Sequence, residues 1–170
     1  MLANFAKVHL GGEKNMYRIA ICDDDLVFGS LLEQYLQNFA KTRRIPIDVL
    51  VFARGEEYLE FLIEEFPVDL IFLDIQFEKG LDGVQIGKEL RADIKNEMTQ
   101  IIYISGIESY AMQLFQNRPM DFLVKPVKQE RVDHIMEEYL RLFGNRNKQY
   151  FDYNVGKTPV SYTHLRAHET

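Results

Sequence analysis

The chain has 170 residues, 46% of them hydrophobic and 27% charged, which fits one ordinary globular domain with room for a fragment of a second. A net charge of −6 argues against this segment gripping nucleic acid on its own, because such binding draws on Lys and Arg set against phosphates. No apolar run approaches the roughly 18 to 20 residues a membrane span needs, and the first residues lack the apolar core of a signal peptide. A cytoplasmic location without membrane association is expected. Cys22 is the one cysteine, so no intramolecular disulfide can form; its apolar surroundings predict a buried, inert thiol.

Residues 1–15 match no element and are expected to be a non-native or disordered leader. Gly11-Gly12-Glu13-Lys14-Asn15 is what purine-rich codons of the ribosome-binding-site type encode, which makes Met16 the expected start. From there the pattern is regular. Tyr17–Cys22 is a short apolar and β-branched run, a predicted first strand, that stops at Asp23-Asp24-Asp25. Phe28, Leu31, Leu32, Tyr35, Leu36 and Phe39 then recur at helical spacing. Asp25 reads as the solvated start of that helix, since Asp suits N-terminal capping.

Residues 45–52 predict a second strand; Gly55 and Glu56 open a second helix through Tyr58, Leu59, Phe61 and Leu62, which Pro67 stops. A third strand over residues 68–73 runs into Asp74. After a loop containing Gly80 and Gly83, a third helix rests on the thin apolar signal of Val84, Ile86 and Leu90. A fourth strand over residues 99–105, a short helix around 109–116 and a fifth strand over 120–124 follow. The last helix carries Val132, Ile135, Met136, Tyr139, Leu140 and Phe143. Beyond Gly144, residues 145–149 read as a linker and Tyr150–Val155 alternates as the first strand of a new domain would. That output domain is expected to begin within 150–158 and to be cut short, with 159–170 a tail of cloning or adaptor origin.

Five strands alternate with five helices, and the strands are apolar on both faces, which implies a parallel sheet covered by helices on each side. The expected fold class is α/β, a doubly wound five-stranded parallel sheet of flavodoxin-like order 2-1-3-4-5.

In such sheets, sites form at the carboxyl ends of strands. Strand one ends at Asp23-Asp24, strand three at Asp74, strand four at Ser105 and strand five at Lys125. Solvated loop acids explain each of these separately but not their common location. Three carboxylates about 5 Å apart repel by about 3 kcal/mol per pair at an effective dielectric near 20. An oxygen-seeking divalent cation relieves that, and Mg2+ suits one or two carboxylates plus substrate oxygens. With the charge neutralised, Asp74 can attack phosphorus while Lys125 and the Ser105 hydroxyl engage other phosphoryl oxygens. The product, an acyl phosphate, is reactive and suits a transient signal.

The strings Ile19-Ala20-Ile21-Cys22-Asp23-Asp24-Asp25, Leu70-Ile71-Phe72-Leu73-Asp74-Ile75-Gln76, Ile102-Tyr103-Ile104-Ser105 and Asp121-Phe122-Leu123-Val124-Lys125-Pro126 resemble the response-regulator receiver family of two-component systems. They occur in order across residues 16–144, and together they are specific where any one is weak. The resemblance implies Asp23 and Asp24 as the metal-binding acidic pair, Asp74 as phosphoacceptor and third carboxylate ligand, and the Gln76 backbone carbonyl as a further ligand of Mg2+. It implies Ser105 as switch hydroxyl, Phe122 as switch aromatic, Lys125 as phosphate-binding lysine, and a cis Lys125-Pro126 bond. By itself Phe122 reads as core packing. Implied partners are a sensor histidine kinase, a second copy upon phosphorylation, and DNA through a LytTR-type output domain suggested by Ile-Cys-Asp-Asp-Asp, Leu-Asp-Ile-Gln and Tyr150–Lys157.

One departure stands out: the loop Ile-Gln-Phe-Glu-Lys-Gly-Leu-Asp-Gly after Asp74 lacks the family's common proline and is one residue longer than usual. Two other readings compete. A phosphatase of the haloacid-dehalogenase class needs a second Asp two residues after the nucleophile, where this chain has Gln76, so turnover of an external substrate is not expected. A stand-alone or degenerate receiver would act as an interaction module; loss of the Asp, the Lys or the acidic pair would favour degeneracy, and all are present. His134, the single histidine in the organised region, makes no metal site.

Overall fold

Strand β1 (Tyr17–Cys22) lies inside a five-stranded sheet whose order is β2-β1-β3-β4-β5, the order the sequence predicts. The chain was described from a computed structural model, which covers residues 16–64 and 67–156. The predicted leader and the tail over 159–170 lie outside the described residues. The other strands are β2 (Ile47–Phe52), β3 (Leu70–Asp74), β4 (Gln100–Ser105) and β5 (Asp121–Val124), and every pairing is parallel.

Side chains alternate across this sheet with period two, and each face has its own core. Ile19, Ile21, Leu70, Phe72, Ile102, Ile104 and Leu123 pack on one side, against Leu32 and Leu36 of α1 (Leu26–Arg43) and Val132, Ile135 and Met136 of α4 (Gln129–Gly156). Ala20, Cys22, Ile71, Leu73, Ile101 and Tyr103 pack on the other, against Tyr58 of α2 (Gly55–Glu64), Ile86 of α3 (Gly83–Lys88) and Leu114 of a 3₁₀ helix (Glu108–Asn117). Covering both faces is why β3 and β4 are apolar at successive positions. At the edge β2 is only half-buried and tolerates Asp48, whose carboxylate lies 3.7 Å from Arg18.

Asp25 caps α1 as expected, accepting bonds from the Val27 and Phe28 N–H groups at 3.1 Å. The thin third helix is short for a visible reason. After Lys88 it widens into a π turn, Glu89–Asp93, which leaves consecutive Leu90 and Arg91 both buried. Arg91 then donates to the carbonyls of Asn117 (2.9 Å) and Asn96 (2.6 Å), anchoring the end of the 3₁₀ helix. Cys22 is buried, and burial pushes its thiol well above the ordinary range, as an inert core cysteine requires.

The structure corrects one reading. Where the sequence suggests a linker over 145–149 and a strand over Tyr150–Val155, α4 continues as helix to Gly156. A lone strand leaves its backbone N–H and C=O groups without partners, whereas a helix satisfies them within the segment. Alternation alone therefore does not make a strand where the preceding helix can simply run on through the segment. Among the described residues, no helix is long and apolar enough to cross a membrane.

Candidate functional site

At the carboxyl edge of the sheet, β1 and β3 are neighbours, and their ends deliver Asp23, Asp24 and Asp74 to one crevice. One carboxylate oxygen from each lies within 4.8 Å of the others. Asp23 and Asp74 are buried, while Asp24 is half-buried. Asp23 uses Oδ1 to accept the Asp25 N–H (2.8 Å) and Oδ2 to accept Lys125 Nζ (3.1 Å).

Lys125 follows β5 and reaches across β4 into this crevice, its Nζ 3.8 Å from Asp74 Oδ2. The Lys125–Pro126 peptide is cis, as the resemblance implies. The ammonium also lies 4.3 Å from the centre of the Phe28 ring on α1, close enough for a cation–π contact. Sequence reasoning assigned Phe28 only to the helix pattern, and nothing in its spacing distinguishes a ring that also faces the lysine.

The electrostatics follow from crowding. Burial, and then the Asp23 charge, push the Asp74 carboxyl up to about 7, against the opposing pull of Lys125 and a bond from the Gln76 N–H. Asp23 is raised too, chiefly by burial, though the Asp25 N–H and Lys125 oppose the shift. A site that raises two of its carboxyls in this way is short of positive charge. Three oxygens at this spacing are a donor set a hard divalent cation fits.

The loop after Asp74 is laced to this cluster. Asp24 Oδ2 accepts the Glu78 N–H at 2.9 Å, and the Ile75 carbonyl accepts the Gly83 N–H at 2.8 Å. Gly83 permits the second closure, since a Cβ there would lie 2.1 Å from the Asp74 carbonyl oxygen. Gln76, two residues beyond Asp74, is exposed.

Ser105 and Phe122 stand differently. Asp74 is in register with Ile104, so Ser105 lies one position further along the neighbouring strand, buried, with its Oγ accepting the Ile107 N–H at 3.0 Å. Phe122 is in register with Tyr103 and packs half-buried against the core on the α2–α3 side. The structure thus brings Asp23, Asp24 and Asp74 within 4.8 Å of one another, with Lys125 against Asp23 and Asp74. It sets Ser105 one register position beyond Asp74 on the neighbouring strand and Phe122 one position short of it on β5.

A doubly wound parallel domain with an acidic crevice and a lysine at its carboxyl edge defines the class. The family model described as the response regulator receiver domain matches residues 19–137, and the chain belongs to that family. Its curated relatives include the sensory transduction protein LytT of Oceanobacillus iheyensis, 34% identical over 77 residues, covering 45% of this chain and 30% of that protein. LytT of Bacillus subtilis is 24% identical over 127 residues, covering 75% of this chain and 49% of the relative. The chain therefore spans half or less of the LytT proteins it matches. Among solved structures, the response regulatory domain of mrkE from Klebsiella pneumoniae aligns with TM-score 0.65 at 21% identity, covering 75% of this chain and 98% of that one. TrrA from Thermotoga maritima, solved in complex with Mg(2+)-BeF, aligns with TM-score 0.60 at 26% identity, covering 74% and 100%. The chain is thus the receiver domain of a two-component response regulator, a signalling module of a kind that interacts with histidine kinases.

Proposed function

We propose that Asp74 accepts a phosphoryl group from a sensor histidine kinase and that the resulting acyl phosphate switches the surface of the domain. The observation that carries this reading is the position of Asp74: buried, among two further carboxylates, with Lys125 Nζ 3.8 Å away. Asp74 attacks through a carboxylate oxygen; the new O–P bond forms as the P–N bond to the kinase histidine breaks, and the electron pair of that bond leaves with the imidazole. Lys125 supplies a charge that can move from the carboxylates to a phosphoryl oxygen. The Ser105 hydroxyl hydrogen can donate to another while its oxygen keeps the Ile107 N–H.

Asp23, Asp24, Asp74 and the Gln76 carbonyl would hold Mg2+, which supplies charge neutralisation at a phosphoryl oxygen when bound. The acidic oxygens within 4.8 Å fit such an ion, and TrrA was solved with Mg(2+)-BeF. No external substrate is turned over.

Downstream, the reading is control of transcription through a LytTR-type DNA-binding output domain beyond the receiver, approached through residues 145–158. Likeness to the LytT relatives supports the choice of output class. Likeness to the transcriptional regulatory protein RprY of Bacteroides fragilis, 29% identical over 144 residues, 82% of this chain and 56% of that one, supports only the control of transcription. Dimerisation upon phosphorylation would pair two output domains on DNA half-sites. A cytoplasmic location goes with this reading.

Incubation with acetyl phosphate and Mg2+ tests the acceptor. Intact mass should rise by about 80 Da, one phosphoryl group. The Asp74→Asn protein should gain none, and a gain that persists in it sinks the assignment.

A further inference from the structure

The loop between Asp74 and Gly83 lacks proline, so something other than ring rigidity must hold it. Its far half is tied to α2 rather than to the crevice. Glu56, in the first turn of that helix, accepts the Leu81 N–H on Oε1 at 2.8 Å. That bond holds the Glu56 carboxyl below its usual range. Gly80 is shaped for the same contact: its φ is +81°, and a Cβ there would lie 2.2 Å from Glu56 Oε1. The near half is tied to the acidic pair by the Glu78 N–H on Asp24. Gln76 lies between these anchors and the Asp74 strand end.

We propose that Glu56 is a positioning residue for the divalent-metal site: its carboxylate clamps the Gly80–Leu81 turn and so preorganises the loop that carries the Gln76 carbonyl. This rests on the assignment of Asp23, Asp24, Asp74 and Gln76 as the metal's ligands. The physical basis is loop ordering. Fixing backbone residues on binding costs conformational entropy, and a loop clamped beforehand does not incur that cost when the cation arrives. Glu56 needs no contact with the ion for this; it acts through Leu81.

Titration of Mg2+ alone into the full chain, followed by calorimetry and by amide NMR, separates the outcomes. In Glu56→Ala the Mg2+ dissociation constant should rise about tenfold, roughly what one hydrogen bond to a charged group contributes, with faster Leu81 amide exchange. Glu56→Gln keeps an oxygen that can accept the Leu81 N–H and should recover most of the affinity. Gly80→Ala displaces the same carboxylate and should weaken binding similarly, and the Glu56→Ala, Gly80→Ala double variant should be no worse than the weaker single one. Should Glu56→Ala fail to fold, the Gln and Gly80 variants still read the contact. A lower metal-free melting temperature with an unchanged Mg2+ dissociation constant assigns Glu56 to stability alone and overturns the proposal. Asp24→Asn is the control for the underlying reading: wild-type affinity in that variant would overturn the ligand assignment itself, whatever Glu56 does.

Discussion

Lys125 Nζ is shared between two carboxylates, 3.1 Å from Asp23 and 3.8 Å from Asp74, so the lysine already occupies the crevice that a cation and a phosphoryl group would enter. It stabilises the metal-free site and competes with any divalent ion there. Lys125→Met should therefore separate metal binding from phosphorylation. Mg2+ affinity should increase severalfold, because a repelling charge is gone, while phosphorylation by a small donor should slow. Calorimetry and mass labelling on the same preparation check both. A fall in Mg2+ affinity would show that the lysine organises the acids rather than competing for them.

The raised Asp74 carboxyl has a consequence for stability. Its folded pKa of about 7 lies above the ordinary carboxylate range, so the folded state holds the proton more tightly than the unfolded chain. Between about pH 4 and 7 the unfolded chain has released this proton and the folded one has not, so stability falls as pH rises across that window; above it the penalty is complete. Asp74→Asn resembles the protonated side chain at every pH. In metal-free buffer it should melt several degrees above wild type at pH 8, and the gap should close toward pH 4. A constant gap would mean that Asp74 is ionised throughout.

Mg2+ should offset the same crowding. At a concentration about tenfold above a millimolar-range dissociation constant, linkage gives roughly 1.4 kcal/mol of added stability. Thermal melts with and without Mg2+ measure it. An equal shift in the Asp23→Ala, Asp24→Ala protein would place the ion elsewhere.

Those acids were legible in the sequence because strand ends converge in a doubly wound sheet, and apolar strings stopping at Asp23, Asp74 and Lys125 mark such ends. The strings mark strand ends but not strand order, which was an expectation from the alternation of strands and helices and which the sheet bears out. Contacts between elements distant in sequence were not legible. Glu56 reaching Leu81 and Phe28 facing Lys125 join helix to loop and helix to strand end, and neither residue departs from an ordinary amphipathic pattern. Arg91 was hidden differently: a π turn shifts the helical phase by about one residue, so periodicity places an inward arginine on the outer face. Over 150–155 alternation did not make a strand, because the helix begun at Gln129 runs on through the segment to Gly156.

The last prediction concerns how phosphorylation leaves the crevice. Ser105 holds two links to elements beyond its own strand: its Oγ accepts the Ile107 N–H at 3.0 Å, and its carbonyl accepts the Lys125 N–H at 2.9 Å. Ile107 is the residue that precedes the 3₁₀ helix, so a hydroxyl drawn toward a phosphoryl oxygen pulls on the start of that helix. The helix exposes Met112 (83%) and Phe115 (80%), and Val124 of β5 is exposed as well. Apolar side chains presented in this way are suited to burial against a second copy. With a phosphoryl partner present only in the modified protein, the contact biases an existing equilibrium between surface arrangements, and Phe122 turns inward as Ser105 moves. Ser105→Ala should still gain about 80 Da from acetyl phosphate, yet show a smaller shift toward dimer in sedimentation than wild type. Met112→Glu should keep both the labelling and the Ser105 movement while abolishing association, because it places charge on the contact face. If phosphorylated wild-type protein changes neither its association state nor its amide exchange across residues 107–117 and 121–143, this route is wrong even with Asp74 as the acceptor.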